Sequence, residues 1–297
     1  MMRGSVSIIG AGRVGRALGR RLREHGWKLG VVVTRSAATA RRAVRAMGGG
    51  TSRASIASDI CFSRVILITA PDDAVATVAE QLAKVCGSDL RRKVVLHTGG
   101  ALDASVLAPV KALGAATGSM HPLQSFSGVG VPPLEGKVFA IEGDAAAVRV
   151  ARAMVRSLGG LPVQIRSASK PVYHAAATMA AAGELAVFEA AIRMLMRIGM
   201  KRREAVRALM PLTRQVLDNL ERLGPRLAWT GPLSRGDYNV IASHVAALRE
   251  FPRPYGDVYD ALNRLTAAVL AASENAMHAE LDKISEGKRL LTKATGK

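Results

Sequence analysis

Four groups of residues in this 297-residue chain have types and spacings that suit chemistry. The first is "SVSIIGAGRVGRALGRRL" (5–22), where Gly10-x-Gly12-x-x-Gly15 follows directly on a short apolar run. Gly10 permits a tight strand-to-helix turn, Gly12 lets backbone approach a pyrophosphate, and Gly15 lets the helix pack against the strand. The N–H groups and positive dipole end of that helix then face the phosphates. Ala11, Arg13 and Val14 complete the predicted cofactor loop. The second group, Thr34-Arg35-Ser36, ends the next apolar run, where an NAD site usually places a carboxylate for the ribose hydroxyl. Arginine pairs with a 2′-phosphate and hydroxyls can donate to it, so NADP(H) is predicted over NAD(H).

A third group sits at three later strand ends. Ala70-Pro71-Asp72 closes one, with Asp72 or Asp73 placed to cap the next helix. His97, Thr98 and Gly99 close another, and "GSMHPLQSF" delivers His121. Open α/β sheets bind ligands at this edge, so the polar ends converge on one crevice. The fourth group is helical. Lys170 and His174 are four apart, on one helix face. Either could donate a proton to an oxygen or nitrogen that receives hydride. Each equally reads as an ordinary helix residue, Lys170 solvated and His174 satisfied by its neighbours. In "WTGPLSRGDYNVIASHVAAL" (229–248), Arg235 could clamp a carboxylate, or be one surface arginine among many; Ser234 or Asp237 could cap the helix that carries His244. No metal-ligand spacing is found.

These groups need elements to position them. Strands are predicted at 5–10, 28–34, 64–70, 93–98, 115–120, 137–143 and 161–165, with helices between them at 13–25, 37–47, 73–86, 103–112 and 144–158. Continuous apolar runs such as "RVILITA" suit a parallel sheet buried on both faces. Past residue 166 strand signals stop, and helical patterns run over 169–199, 201–222, 235–250 and 254–285. The expected architecture is α/β: a Rossmann-type doubly wound sheet (1–166), then an all-helical domain (167–285) and a frayed basic tail (286–297).

Composition narrows the function classes. The formal charge of +19 raises nucleic acid as a partner, but the arginines are dispersed over many helices without aromatic interleaving, and aromatics are 4% of residues. Specific nucleic-acid binding is therefore not expected. Arg13 and Arg16 break the apolar stretch near the start, and Glu184 interrupts "AAATMAAAGELAVF" (175–188), so neither a signal peptide nor a membrane span is expected. Cys61 and Cys86 lack C-x-x-C spacing and read as reduced thiols of a cytoplasmic protein.

Six stretches carry a family resemblance: "IIGAGRVGRALGRRL", "APDDAV", "LHTGGALDASVL", "SMHPLQSF", "KPVYHAAATMAAAGELAV" and "TGPLSRGDYNVIASH". Over about residues 4–275 the chain resembles Rossmann-like proteins with a DUF2520 domain. More distantly it is similar to pyrroline-5-carboxylate reductases, 3-hydroxyacid dehydrogenases and ketopantoate reductases. The resemblance implies an NADP-dependent oxidoreductase with a 6-phosphogluconate-dehydrogenase-like helical domain that forms a homodimer. By analogy with ketopantoate reductases, Lys170 matches a proton-donating position, and His174 falls one turn later, where those enzymes carry a polar residue. Beside that analogy, His174 or His121 is expected to orient or polarise the substrate oxygen, and Arg235 to hold its carboxylate. Related sequences often carry a Ser-Asn pair where this chain has Ala181-Ala182. That departure leaves open a non-catalytic NADP(H)-binding sensor.

Overall fold

The computed structural model describes residues 4–287 and contains two compact units, one through Glu184 and one from Leu185. In the first unit β1 (Ser5–Ile9) leads through Gly12 into α1 (Arg13–Glu24), then β2 (Lys28–Val33), α2 (Ala37–Met47) and the short β3 (Thr51–Arg53). The second half adds β4 (Val65–Ile68), α3 (Asp72–Cys86), β5 (Val94–His97), the one-turn α4 (Ala108–Lys111), β6 (Ala116–Pro122), β7 (Val138–Gly143), α5 (Ala145–Ser157) and β8 (Leu161–Gln164). The strands form one sheet in the order β3-β2-β1-β4-β5-β6-β7-β8. Every neighbouring pair is parallel except β6–β7, which is antiparallel. This is the doubly wound Rossmann-type sheet that the apolar runs predict. β3 and the reversal at β7 were not foreseen.

Both faces of the sheet are dry. Ile8, Leu67, Leu96 and Ile141 pack with α1 and α5 residues on one side, while Ile66, Ile68 and Val95 meet Val75, Ala79 and Leu82 of α3 on the other. That double burial explains why the central strands read as continuous apolar runs. Cys61 and Cys86 are free and buried on the α3 side. They share a hydrogen bond that holds the Cys61 thiol below its ordinary range and, with burial, pushes Cys86 up.

After β8 the chain enters α6 (Lys170–Thr178), a π-helical turn (Met179–Gly183) and α7 (Glu184–Arg197). The boundary between units falls at Glu184/Leu185, so residues 167–184 cluster with the sheet, where a boundary at 166/167 was expected. Within this stretch the Lys170 side chain is hydrogen-bonded to the strand ends at Gly99 and Ser119. The second unit continues with α8 (Arg202–Leu223), the one-turn α9 (Pro225–Ala228), α10 (Tyr238–Leu248), α11 (Arg253–Leu270) and α12 (Glu274–Ser285). Its small core joins Leu233, Ile241, Ala242, Ala267, Leu281 and Ile284. Of the expected tail 286–297, residues 288–297 lie outside the described residues.

Candidate functional site

The site is built on one register row of the sheet. Strand pairing aligns Val33, Ile9, Ile68, His97, Ser119 and Glu142 across six strands at the C-terminal edge of the parallel part. Directly paired residues share a face, so the row is apolar for three strands and polar for the next three. Above its apolar end lies the glycine loop, and above its polar end the start of α6.

The loop is shaped by close approach. Gly10 sits at φ +91, outside the range that side chains tolerate, and its carbonyl accepts from the Thr69 hydroxyl. A Cβ on Gly15 would collide with Thr69 Oγ1 and the Gly10 carbonyl, so α1 is pressed against β1 and the end of β4. Gly12 differs: it is exposed, its φ of −72 is ordinary, and a Cβ there meets nothing within 4 Å. Among the described residues no side chain caps α1, and its first turn holds no acid. The loop therefore presents unspent helix N–H groups beside empty space, which is what a dinucleotide pyrophosphate needs. Ala11 is buried and Val14 half-buried, while Arg13 is exposed and its side chain runs past Gly128.

At the end of β2 the expected phosphate ligands divide. Ser36 accepts from Thr39 N–H at 3.3 Å to cap α2 and bonds the Thr39 hydroxyl at 3.0 Å. Thr34 donates to the Ser36 carbonyl at 2.9 Å. Both hydroxyls are thus spent locally, while Arg35, exposed like Ser36, is the member of the trio that can reach a phosphate with a charge. Asp72 and Asp73 lie in the first turn of α3, but neither caps it; Pro71 occupies the cap position and Ala70 precedes it. Thr98 is half-buried and its N–H donates to the Ile68 carbonyl at 3.1 Å.

Lys170 opens α6 with no exposed surface. Its Nζ donates to the Gly99 carbonyl at 2.7 Å and to Ser119 Oγ at 3.1 Å. Burial lowers its pKa, opposed by the charges of Glu142, Asp72 and Asp103. Glu142 is 2% exposed; its Oε2 accepts from Ser167 at 2.8 Å, and its Oε1 is buried without a partner. Gly99 is held from both sides, because its N–H donates to His97 Nδ1 at 3.1 Å. Nδ1 must then be unprotonated, so Nε2–H of His97 donates to the Asp103 carbonyl at 3.2 Å. Burial, with the Lys170 charge, lowers the His97 pKa to about 4.

One turn further along α6, Tyr173 and His174 meet His121. Tyr173 Oη and His121 Nδ1 share a hydrogen bond of 2.8 Å, and the His121 and His174 rings stand edge to face with centroids 5.7 Å apart. Burial, with the charge of Lys170, lowers His121 to about 4, and burial raises Tyr173 to about 12. At neutral pH the pair is a neutral imidazole and a phenol. With the phenol donating, Nε2 of His121 carries the ring proton. Gly100 lies under both rings: a Cβ there would stand 2.9 Å from His121 Nε2, 2.7 Å from His174 Nε2, and would strike His174 Cδ2. All three aromatic residues are half-buried, so the neutral His121–Tyr173 pair and the ring of His174 have access to solvent.

The structure thus brings Lys170, His174, His121 and Gly99 together and leaves Arg235 in the other unit. There Arg235 is exposed and its Nε donates to Asp237 Oδ2 at 2.9 Å, so Asp237 pairs with arginine instead of capping α10. Ser234 donates to the Gly231 carbonyl at 2.8 Å. His244 of α10 shares a 2.7 Å hydrogen bond with Tyr259 of α11. Sequence reasoning missed Ser119, Glu142 and Tyr173. The first two were visible only as polar residues inside apolar strands, and Tyr173 as the residue between Pro171-Val172 and His174.

Comparison with known proteins defines the class first. Residues 1–122 match the Rossmann-like domain, and the sheet order agrees. Residues 137–266 match the domain of unknown function DUF2520, so the chain carries a match to each of these two domain models. No curated protein sequence matches it. Solved structures share its fold. A candidate NADP oxidoreductase from Bacteroides fragilis is 19% identical with a TM-score of 0.74, covering 93% of this chain and 98% of its own. The reductive aminase of Aspergillus terreus, solved with NADPH and ethyl-5-oxohexanoate, is 19% identical with a TM-score of 0.64, covering 96% and 94%. Pyrroline carboxylate reductase of Plasmodium falciparum, solved with NADP, is 12% identical with a TM-score of 0.57, covering 96% and 98%.

Proposed function

We infer that the protein is an NADP(H)-dependent oxidoreductase that reduces a small carbonyl or imine substrate bearing a carboxylate. The observation that carries this reading is the glycine loop, with open space at Gly12 and an uncapped, acid-free helix start. The NADP(H) held by the reductive aminase and the pyrroline carboxylate reductase supports it. Gly10, Gly12 and Gly15 would hold the pyrophosphate, Arg35 the 2′-phosphate, and the strand ends at Ala70, Pro71, Asp72, Thr98 and Gly99 the remainder. When bound, the cofactor supplies a hydride equivalent.

The chain's own residues supply the proton and the orientation. His121 Nε2–H, backed by Tyr173 and flanked by His174, polarises the substrate oxygen or nitrogen. A neutral imidazole suits that task because its N–H can donate to the substrate atom without the ring first taking up a proton. Lys170 was expected to donate directly. Its complete burial recasts it as the nearby positive charge that fixes Gly99 and disfavours protonation of His121. Arg235 is the proposed carboxylate ligand, and a ketopantoate-like keto acid is one substrate to assay. The protein is proposed to act as a cytoplasmic homodimer.

Calorimetric titration with NADPH and with NADH tests the cofactor, and Arg35→Asp should reverse an NADPH preference. Absence of binding to both nucleotides would overturn the reading. With turnover established, His121→Phe and Lys170→Ala should each lower kcat at least tenfold while leaving NADPH affinity within about threefold. A second reading, an NADP(H) sensor without turnover, is favoured by Ala181 and Ala182, whose methyls occupy the π-helical turn. It requires cofactor binding with no reduction of any keto acid or imine.

A further inference from the structure

At the opposite edge of the sheet, the chain entering β4, β5 and β6 lines, with α5, a half-open surface cavity of about 470 Å³. Four cations stand on the strand approaches: Arg64 before β4 and Arg91, Arg92 and Lys93 before β5. Arg149 projects from α5, one turn from Ala146 and beside Val150. No carboxylate lines the cavity among the described residues. Among the described residues none of the five side chains makes a hydrogen bond or ion pair, in contrast to Arg53 with Asp59 or Lys111 with Asp144. Arg92 has φ 64, the one non-glycine residue in the left-handed region among the described residues. Its N–H is nevertheless locked to the Gly114 carbonyl at 3.2 Å, so the fold holds an arginine in a conformation that costs energy.

Like charges drawn into one concavity repel each other, and a bound polyanion relieves that repulsion. Three features select its chemistry. Five cations in one cavity call for several negative charges, more than one carboxylate carries. Four of the five are arginines, whose planar forks match phosphate oxygens two at a time. The lining holds no aromatic side chain on which a base could stack, and its apolar part is limited to Val94, Val150 and two alanines. The volume lies within the range of small-molecule sites, about 300–1,000 Å³. We propose that this cavity is a second anion site, for a compact small molecule carrying two or more phosphate groups, separate from the glycine loop at the far edge of the sheet.

The test is calorimetric titration of the full chain with tripolyphosphate and with pyrophosphate at physiological salt, about 0.15 M. One pocket variant combines Arg91→Ser, Arg92→Gly and Arg149→Ser. A control combines Arg45→Ser and Arg156→Ser, two exposed arginines outside the cavity. Arg149→Ser alone guards against misfolding of the triple variant. The expected result is one-to-one binding, weakened at least tenfold in the pocket variant, measurably in Arg149→Ser, and unchanged in the control. Equal loss in pocket and control variants would mean diffuse attraction to a chain of charge +19 and would overturn the proposal. So would no binding at this salt, or loss in Gly12→Asp with the pocket variant unaffected. A single-stranded oligonucleotide that binds tighter than tripolyphosphate and loses affinity in the pocket variant would make nucleic acid the occupant and overturn it as well.

Discussion

Lys170 and His97 illustrate two ways of burying a titratable side chain. A lysine with no exposed surface loses its hydration, which lowers its pKa; Gly99 O and Ser119 Oγ accept from its Nζ and the Glu142 charge opposes the shift. His97 takes the other course and is held neutral, with one ring nitrogen accepting and the other donating. That arrangement has a pH consequence. Above the ordinary value of 6.5 the ring is neutral folded and unfolded, and its full contribution to stability is present. Between 6.5 and about 4 the unfolded chain binds a proton that the folded chain refuses, so stability falls as the pH drops. At about 1.4 kcal/mol per pH unit the loss for His97 approaches ~3 kcal/mol. His121 adds less, being partly exposed to solvent. Urea unfolding from pH 7 to 4 should therefore show a steep acid limb, and His97→Asn should remove about one proton from the linked uptake. An unchanged limb in that variant would show that His97 is not held neutral by the fold.

At the scale of elements, the strand–loop–helix start was legible because glycine spacing and an apolar run coincide. α2 was located correctly at 37–47, and α1 and α3 to within one residue. The polar row was not legible. His97, Ser119 and Glu142 become neighbours only through the register of β5, β6 and the reversed β7, and pairing across strands leaves no mark in local periodicity. β3 escaped because "TSR" is three residues long and exposed or half-buried. The expected caps at Asp72 and Asp237 failed for local reasons: Pro71 takes one cap position, and Arg235 takes the other carboxylate. The loop also yields a paired prediction. Gly12→Ala adds a methyl to open space and should leave thermal stability unchanged while weakening NADPH at least tenfold. Gly15→Ala forces α1 away from Thr69 and should cost about 1–3 kcal/mol before any ligand is added. Thermal melts with NADPH titrations separate the two; equal destabilisation would show that Gly12 is structural.

On the scale of the whole molecule, the second unit leaves apolar surface that its own small core does not use. α8 has 22 residues, of which only Ala205 is buried. Leu212, Val216, Leu220 and Leu223 recur at helical spacing on it, and each is at least 43% exposed. α11 repeats the pattern with Val258, Leu262, Leu265 and Val269. Across the unit boundary, the helix spanning 167–197 is long and apolar enough to cross a membrane by length and composition, with 6% of its apolar window buried, although Glu184 was expected to prevent this. Stripes of this kind are seams, and water is a poor partner for them. A lipid surface is disfavoured for α8 because Arg203, Arg207, Arg214, Glu221 and Arg222 crowd the same helix, leaving a stripe instead of an apolar circumference. A second copy of the chain would supply the matching stripe by symmetry, in keeping with the dimer that the family resemblance implies. The prediction is a dimer by sedimentation equilibrium at micromolar concentration. Leu212→Arg combined with Leu220→Arg should shift it to monomer and lower the melting temperature, since the apolar stripe would then lose its cover. A monomeric wild-type chain, or a dimer indifferent to both charges, would place the seam elsewhere.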